Sequence, residues 1–358
     1  MTSTKNDDNN ILHVSRLDFG NPPYPTCKKT TTFPFQIFNL PYLQSVFFFN
    51  CFTITNPNLV SNSSFASSST LQQLSLRSNP ALTGPIPPEI SHLKSLKILT
   101  LSQNRLSGTI PEEIFSLTNL VHLDLSYNML TGSVSDQLGN LKNLVGLDLS
   151  YNMIRNTIPS TIGQLGLLQK LDLSSNLLTG GIPSTIGKLN SLNPMSMNFL
   201  PLELGKLVRL QELRLADSGY SGTIPESFSQ LKNLTTLSLQ NKKLTGEIPR
   251  GFGGLPHIYH LNLSRNFLGG IVPFNASFLN RLGRNLDLSG NLGLCLSSSE
   301  AYSVKIGVTI CGRNKINGGS DDLKQPLMSS HAPPFGNKFF LPSGFGVLVL
   351  HQMLFLLV

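Results

Sequence analysis

From Leu71 to Asn291 apolar and polar positions alternate in short bursts at fixed spacing. The unit reads L-x-x-L-x-L-x-x-N and then L-x-G-x-I-P, about 24 residues in all; Leu96–Asn119, Leu120–Asn143, Leu144–Leu167 and Leu168–Ser191 are its clearest copies. A period of two over so few residues predicts a short strand with one buried face. In Leu120–Asn128 the inward residues are Leu120, Leu123 and Leu125, and the outward ones His122, Asp124, Ser126 and Tyr127. Asparagine recurs where each strand turns inward, at Asn79, Asn104, Asn128, Asn152, Asn176, Asn266 and Asn291. There its amide can satisfy backbone groups that water cannot reach. One unit alone cannot bury its leucines, so successive units must stack as coils. About ten coils at a strand spacing of roughly 4.8 Å make a stack on the order of 50 Å long.

The second half of the unit carries Ile86-Pro87, Ile110-Pro111, Ile158-Pro159, Ile182-Pro183, Ile224-Pro225 and Ile248-Pro249. Glycine permits the sharp turn, and proline holds an extended backbone without a donor. Together the two halves resemble the plant-specific class of leucine-rich repeats, found in extracellular receptors and secreted defence proteins. The fold class expected is an α/β solenoid: a plant-type leucine-rich-repeat superhelix of about ten coils, with a parallel β-sheet on its concave face and a cap at each end.

The expected organisation is an N-terminal cap and irregular first coil over 1–70, repeats over 71–291, a C-terminal cap over 292–312, a flexible linker over 313–338 and an apolar tail over 339–358. Leu43–Thr70 reads as a looser coil with Cys51 at the asparagine position. Leu192–Arg209 reads as a short coil lacking Gly-x-Ile-Pro, and the next two coils carry Ser218 and Lys242 where asparagine belongs. This weakened stretch marks either a bend or docking surface, or drift in the repeat.

Of the residues, 13% are charged, with a net charge of +8. That balance suits acidic wall polysaccharide or an anionic membrane. No basic run interleaved with aromatics is present, which argues against nucleic acid. The four cysteines flank the regular coils, Cys27 and Cys51 at one end, Cys295 and Cys311 at the other. Paired within the caps they would protect exposed ends; otherwise Cys51 is a buried thiol at its asparagine position. No C-x-x-C pair or Cys/His cluster points to a metal, and nothing calls for a cofactor. Sequons at Asn62, Asn233, Asn262 and Asn275, together with the flanking cysteines, favour an oxidising secretory setting.

Met1–Asn10 is polar and has no apolar signal core, so the expectation is that the natural N-terminus lies upstream; the other reading is a cytosolic protein. Phe339–Val358 is apolar to its last residue and long enough to span a bilayer. It follows a spacer rich in Gly, Ser and Pro and is followed by no lysine or arginine, the arrangement of a glycolipid-anchor signal, with Ser329 or Ser330 as attachment site. A retained transmembrane helix is the other possibility.

The segment containing Cys27 and Cys51, the coils, and Asn291–Cys295 with Cys311-Gly312 are similar to a small group of plant receptor-like proteins without a kinase domain, related to the protein called Too Many Mouths. The resemblance implies a cell-surface co-receptor that binds secreted peptides or pairs with leucine-rich-repeat receptor kinases. A secreted polygalacturonase inhibitor and an intracellular scaffold are the competing readings.

Outward strand residues line the concave face in columns. Asp124, Asp148 and Asp172 form one, and Tyr127 with Tyr151 another. Aligned carboxylates repel mildly and would welcome a cationic group, although Leu-Asp-Leu-Ser is also what the repeat itself prescribes. Tyrosine offers a large contact area with a polar tip. Residues departing from the repeat are further contact candidates: Glu212, Arg214, Asp217, Gln240, His260 and Arg265, with His122 on the same face. No phosphate loop, kinase signature or H-E-x-x-H is present, so the reading is of a binding protein and not an enzyme.

Overall fold

The alternating bursts become strands because a two-residue period gives a three-residue strand one buried side chain and two outward ones. In the computed structural model, which describes residues 2–5, 12–20, 27, 33–53, 70–179, 199–299 and 306–312, these strands join into one sheet. The linker, the tail with Ser329 and Ser330, and Asn62 lie outside the described residues. Among the described residues no helix is long and apolar enough to cross a membrane.

The concave sheet has 12 strands. Ile98–Thr100, His122–Asp124, Gly146–Asp148 and Lys170–Asp172 follow one another in parallel register, then Glu212–Arg214, Thr236–Ser238, His260–Asn262 and Leu286–Asp287. The parallel sheet also extends N-terminally of the regular repeats, through Gln73–Arg77, Ser45–Phe49 and Leu12–Gly20. Thr2–Lys5 closes that end as an antiparallel strand. Leu120, Leu123 and Leu125 are buried, as the alternation predicts, but Ser126 is buried too and does not face outward. In the other half of the coil each described Ile-Pro leads into a five-residue 3-10 turn, such as Glu112–Ser116 after Pro111 or Glu226–Gln230 after Pro225; Ile182-Pro183 lies outside the described residues. These turns stack beneath the sheet and bury Phe115, Phe228 and Phe252. Proline suits this place because its fixed φ leads into the turn and its nitrogen needs no partner.

The asparagines form the expected ladder. Asn152 Nδ2 donates to the carbonyls of Leu125 and Leu149 at 3.0 and 3.1 Å, while its Oδ1 accepts the Leu130 N–H at 3.0 Å. Each rung thus ties its own coil to the preceding one and satisfies three backbone groups away from water. Cys51 does occupy an asparagine position: its N–H donates to Asn79 Oδ1 at 2.8 Å. It is disulfide-bonded to Cys27, and Cys295 to Cys311, so the buried-thiol reading of Cys51 gives way to cap pairing at both ends. Over the N-terminal pair, Phe33, Phe38, Phe48 and Phe52 pack ring against ring.

Leu192–Arg209 adds no strand of its own to the sheet. Strand Lys170–Asp172 pairs directly with Glu212–Arg214, so no strand is inserted between them. Paired residues are 42 apart here (Lys170 with Glu212), against 24 on the preceding step (Gly146 with Lys170). The physical reason is Pro201: Leu200, Leu202 and Leu204 alternate around it, but the chain passes there into a 3-10 turn and not into a strand. Leu200-Pro201 takes the Ile-Pro place, and Leu202–Lys206 enters the row of 3-10 turns. The sheet continues unbroken past the added residues.

Candidate functional site

Parallel register carries equivalent side chains into columns across the concave face. The first runs His122, Gly146, Lys170, Glu212, Thr236, His260. The second runs Asp124, Asp148, Asp172, Arg214, Ser238, Asn262, Asp287. The third lies just past the strand, where Tyr127, Tyr151, Ser175, Asp217, Asn241 and Arg265 all have φ of 53–55°. That left-handed position lifts their side chains to the rim of the sheet and costs on the order of 1 kcal/mol per non-glycine residue. Gln240 belongs to none of these columns. It occupies the serine position and turns back toward Ser238, 2.5 Å away.

The aspartate column has a structural task. Asp124 Oδ1 accepts both the N–H and the hydroxyl of Ser126, at 3.0 and 2.6 Å; Asp148 does the same with Ser150 and Asp287 with Ser289. Each carboxylate thereby holds the turn into the left-handed residue. Asn262 performs the task with a neutral amide, accepting from Ser264. The side chains stay half-buried, and the middle member carries the electrostatic load. Burial first, then the neighbouring Asp172 and Asp124, push the Asp148 carboxyl up to about 7. Asp172 is raised chiefly by burial, relieved by Ser174 and Arg214.

Charge reverses at the long coil. Arg214 lies 3.2 Å from Glu212 and 4.0 Å from Asp172, and Glu212 lies 3.4 Å from Lys170. Four alternating charges thus bridge the two strands that flank the added residues. Lys170 escaped the reading of the sequence because it sits in an ordinary repeat; counting one repeat back from Glu212 through the irregular stretch was the only signal. His122 lies over Gly146, where an added Cβ would stand 2.6 Å from its Nδ1. Burial and then Lys170 lower its pKa. Burial and then Arg214 lower that of His260, with Asp287 opposing. At the rim Asn241, also unforeseen, donates to Asp217 at 2.7 Å.

Tyr127 and Tyr151 stack with ring centroids 4.2 Å apart and planes 11° from parallel. Burial, followed by the neighbouring Tyr151, pushes the Tyr127 phenol up to about 12. Beneath the rim the ladder breaks at Ser218 and Lys242. The Lys242 side chain is buried, its ammonium hydrogen-bonded to the Ser218 hydroxyl and 4.9 Å over the Tyr220 ring. Burial brings its pKa down to about 7, against the pull of Asp217. Of the sequons, Asn233 donates Nδ2 to the Val208 carbonyl, Asn275 caps the helix Ala276–Leu282, and Asn262 lies in the second column.

Parallel strands, stacked 3-10 turns, an asparagine ladder and disulfide-closed ends define a plant-type leucine-rich-repeat solenoid. Leucine rich repeat models match residues 118–178, 208–268 and 95–117. The chain is 59% identical over 101 residues to "Receptor like protein 29" of Arabidopsis thaliana, a match covering 28% of this chain and 22% of that protein. Its fold is similar to the ectodomain of the Arabidopsis membrane receptor kinase GASSHO1/SCHENGEN3 in complex with CASPARIAN STRIP INTEGRITY FACTOR 2, with a TM-score of 0.66, 30% identity, and coverage of 83% of this chain and 31% of that one. It is likewise similar to the Arabidopsis receptor kinase HAESA in complex with the peptide hormone IDA and the co-receptor SERK1, at a TM-score of 0.59 and 28% identity, over 80% and 45% of the two chains. The chain thus spans less than a quarter of the relative named first and less than half of either ectodomain. Over the matched residues it is a leucine-rich-repeat protein, similar to a plant receptor-like protein and to receptor-kinase ectodomains.

Proposed function

We propose that the chain is the ectodomain of a cell-surface receptor-like protein, a member of the Too Many Mouths-related group. Its concave face binds a secreted peptide or a leucine-rich-repeat receptor kinase. One observation carries the reading: a rigid, register-locked face on which the tyrosine pair and carboxylates give way to an ion-paired cluster around Arg214 and then to His260 and Arg265. Such a face offers aromatic contact area and charges of both signs at fixed spacing, which suits an extended peptide better than a small metabolite. The structures it resembles were solved with a peptide hormone and a co-receptor in one case, and with an integrity factor in the other.

The apolar tail 339–358 is a glycolipid-anchor signal that is removed as the glycolipid is joined to Ser329 or Ser330, which holds the protein on the outer face of the membrane, and Asn62, Asn233, Asn262 and Asn275 carry glycans. Treating plant membranes with a phospholipase that cuts glycolipid anchors should release the protein; retention on the membrane refutes the anchor. The binding reading is tested by titrating receptor-kinase ectodomains against the purified chain and its Arg214→Glu variant. Charge reversal at the centre of the face should abolish binding that a convex-face change such as Glu113→Lys leaves intact.

A further inference from the structure

Tyr127 and Tyr151 occupy the same place on consecutive coils, and the backbone fixes their separation. The Tyr127 N–H donates to the Ser150 carbonyl at 2.9 Å, the Asn128 N–H to the Tyr151 carbonyl at 3.1 Å, and the Tyr151 N–H to the Ser174 carbonyl at 2.9 Å. Both residues stand at the left-handed position, so neither side chain can fold back into the core. The rings stack face to face at 4.2 Å, and the two residues are 47% and 49% exposed. Among the described residues this is the one tyrosine–tyrosine contact: Tyr42 lies against His13, Tyr220 is buried, and Tyr259 stands alone. The turn explains why the residues are outside. It does not account for two phenols held in register with their ring edges open to solvent.

We propose that Tyr127 and Tyr151 form an oxidative coupling site, at which a peroxidase-type oxidant using hydrogen peroxide joins them as an intramolecular dityrosine. Each phenol gives up one electron and one proton. The two ring-centred radicals form a carbon–carbon bond between positions ortho to the hydroxyls. The hydrogens displaced from those carbons leave as protons as the rings regain aromaticity, and the hydroxyls are restored. The protein loses two hydrogens in all, and one hydrogen peroxide becomes two waters. A fixed stack favours this over coupling between molecules, because it supplies each radical with a partner at an effective concentration far above that of any protein in solution. The cross-link would staple consecutive coils and convert two separate phenols on the concave rim into one rigid biaryl. A face that recognises a ligand in the reduced state would therefore present a different surface after an oxidative burst.

Met129 and Met153 are exposed on the same two coils and offer peroxide a competing reaction, in which oxygen is added to sulfur. The two products differ in mass and in fluorescence, so one experiment separates them. The full chain is treated with a plant peroxidase and limiting hydrogen peroxide, then digested. The expected result is dityrosine fluorescence in monomeric protein, together with a linked peptide pair containing Tyr127 and Tyr151 that has lost two hydrogens. Tyr127→Phe and Tyr151→Phe should each lower the yield by about tenfold or more, since coupling then depends on chance encounters, while Tyr259→Phe leaves it unchanged. Unchanged circular dichroism of the phenylalanine variants shows that the loss is not one of folding. Coupling found only between molecules, through Tyr259 or Tyr42, overturns the proposal. So does oxygen added to Met129 and Met153 while Tyr127 and Tyr151 remain unmodified.

Discussion

Replacing Lys242 by asparagine should stabilise this protein in acid and destabilise it in alkali. Lys242 stands at a rung of the ladder, 5% exposed. At the intact rung one coil on, Asn266 donates to the carbonyls of Leu239 and Leu263 at 2.9 and 3.0 Å and accepts the Leu244 N–H at 3.1 Å. By register, an asparagine at 242 meets the carbonyls of Leu215 and Leu239 and the N–H of Tyr220. Burial lowers the lysine from 10.5 to about 7. Since the folded-state value lies below the unfolded one, the unfolded chain binds the proton more tightly. Stability is therefore greatest above the unfolded pKa, declines as pH falls toward 7, and is flat below. At about 1.4 kcal/mol per tenfold change in proton affinity, the wild type forgoes up to about 5 kcal/mol in acid. Losing the lysine stem leaves a gap worth about 2 kcal/mol at any pH, so the net effect is a gain of about 3 kcal/mol at about pH 6 and a loss of about 2 kcal/mol above about pH 10.5. Urea unfolding midpoints of both proteins at the two pH values, disulfides intact, measure it. Lys242→Met should share the acid gain without the ladder bonds. A difference independent of pH, or a destabilised Lys242→Asn protein in acid, refutes the reasoning.

Asn152→Ala strands two carbonyls and an N–H inside an intact stretch of the ladder and should cost about 3 kcal/mol in urea unfolding. Asp148→Asn should stabilise: the carboxyl is raised to about 7, so its proton is held more tightly in the folded state and stability is lost as pH rises from the ordinary carboxylate range through 7. Its half-exposure limits the gain to about 1–2 kcal/mol above neutrality, vanishing in acid, and Asn262 shows that an amide can hold the same turn. Removing the C-terminal disulfide as Cys295→Ser/Cys311→Ser opens a loop with a sequence separation of 16 and should lower stability by about 3 kcal/mol, read as a lower thermal midpoint.

The parts of the fold set by periodicity were legible in the sequence. Leu120, Leu123 and Leu125 can share an interior only if the coil closes beneath them, and Asn152 can be tolerated there only if it feeds backbone groups. The stretch after Leu178 was not legible as it stands, because spacing alone does not say whether residues lacking the asparagine and Gly-x-Ile-Pro form a thin coil or lengthen a neighbouring one. Register between Lys170 and Glu212 decided it. The columns on the face were foreseen where a residue lay within the strand. The rim was harder: the left-handed φ of Tyr127, Asp217 and Arg265 leaves no mark in the hydrophobic pattern, and the serine-bound Asp124 and Asp148 read as free acids. The ion pairs among Lys170, Glu212, Arg214 and Asp172 exist only because the long coil does not interrupt the sheet.

That the concave face is where this ectodomain meets its partner is tested most directly by site-specific photo-cross-linking in plant cells. A photoreactive residue is placed in turn at Tyr151, Arg214 and His260 on the face, and at Glu113 and Gln137 in the 3-10 row beneath it. The account predicts cross-links to a secreted peptide or a leucine-rich-repeat receptor kinase from the first three positions and none from the last two. Cross-links confined to Glu113 and Gln137 would contradict it.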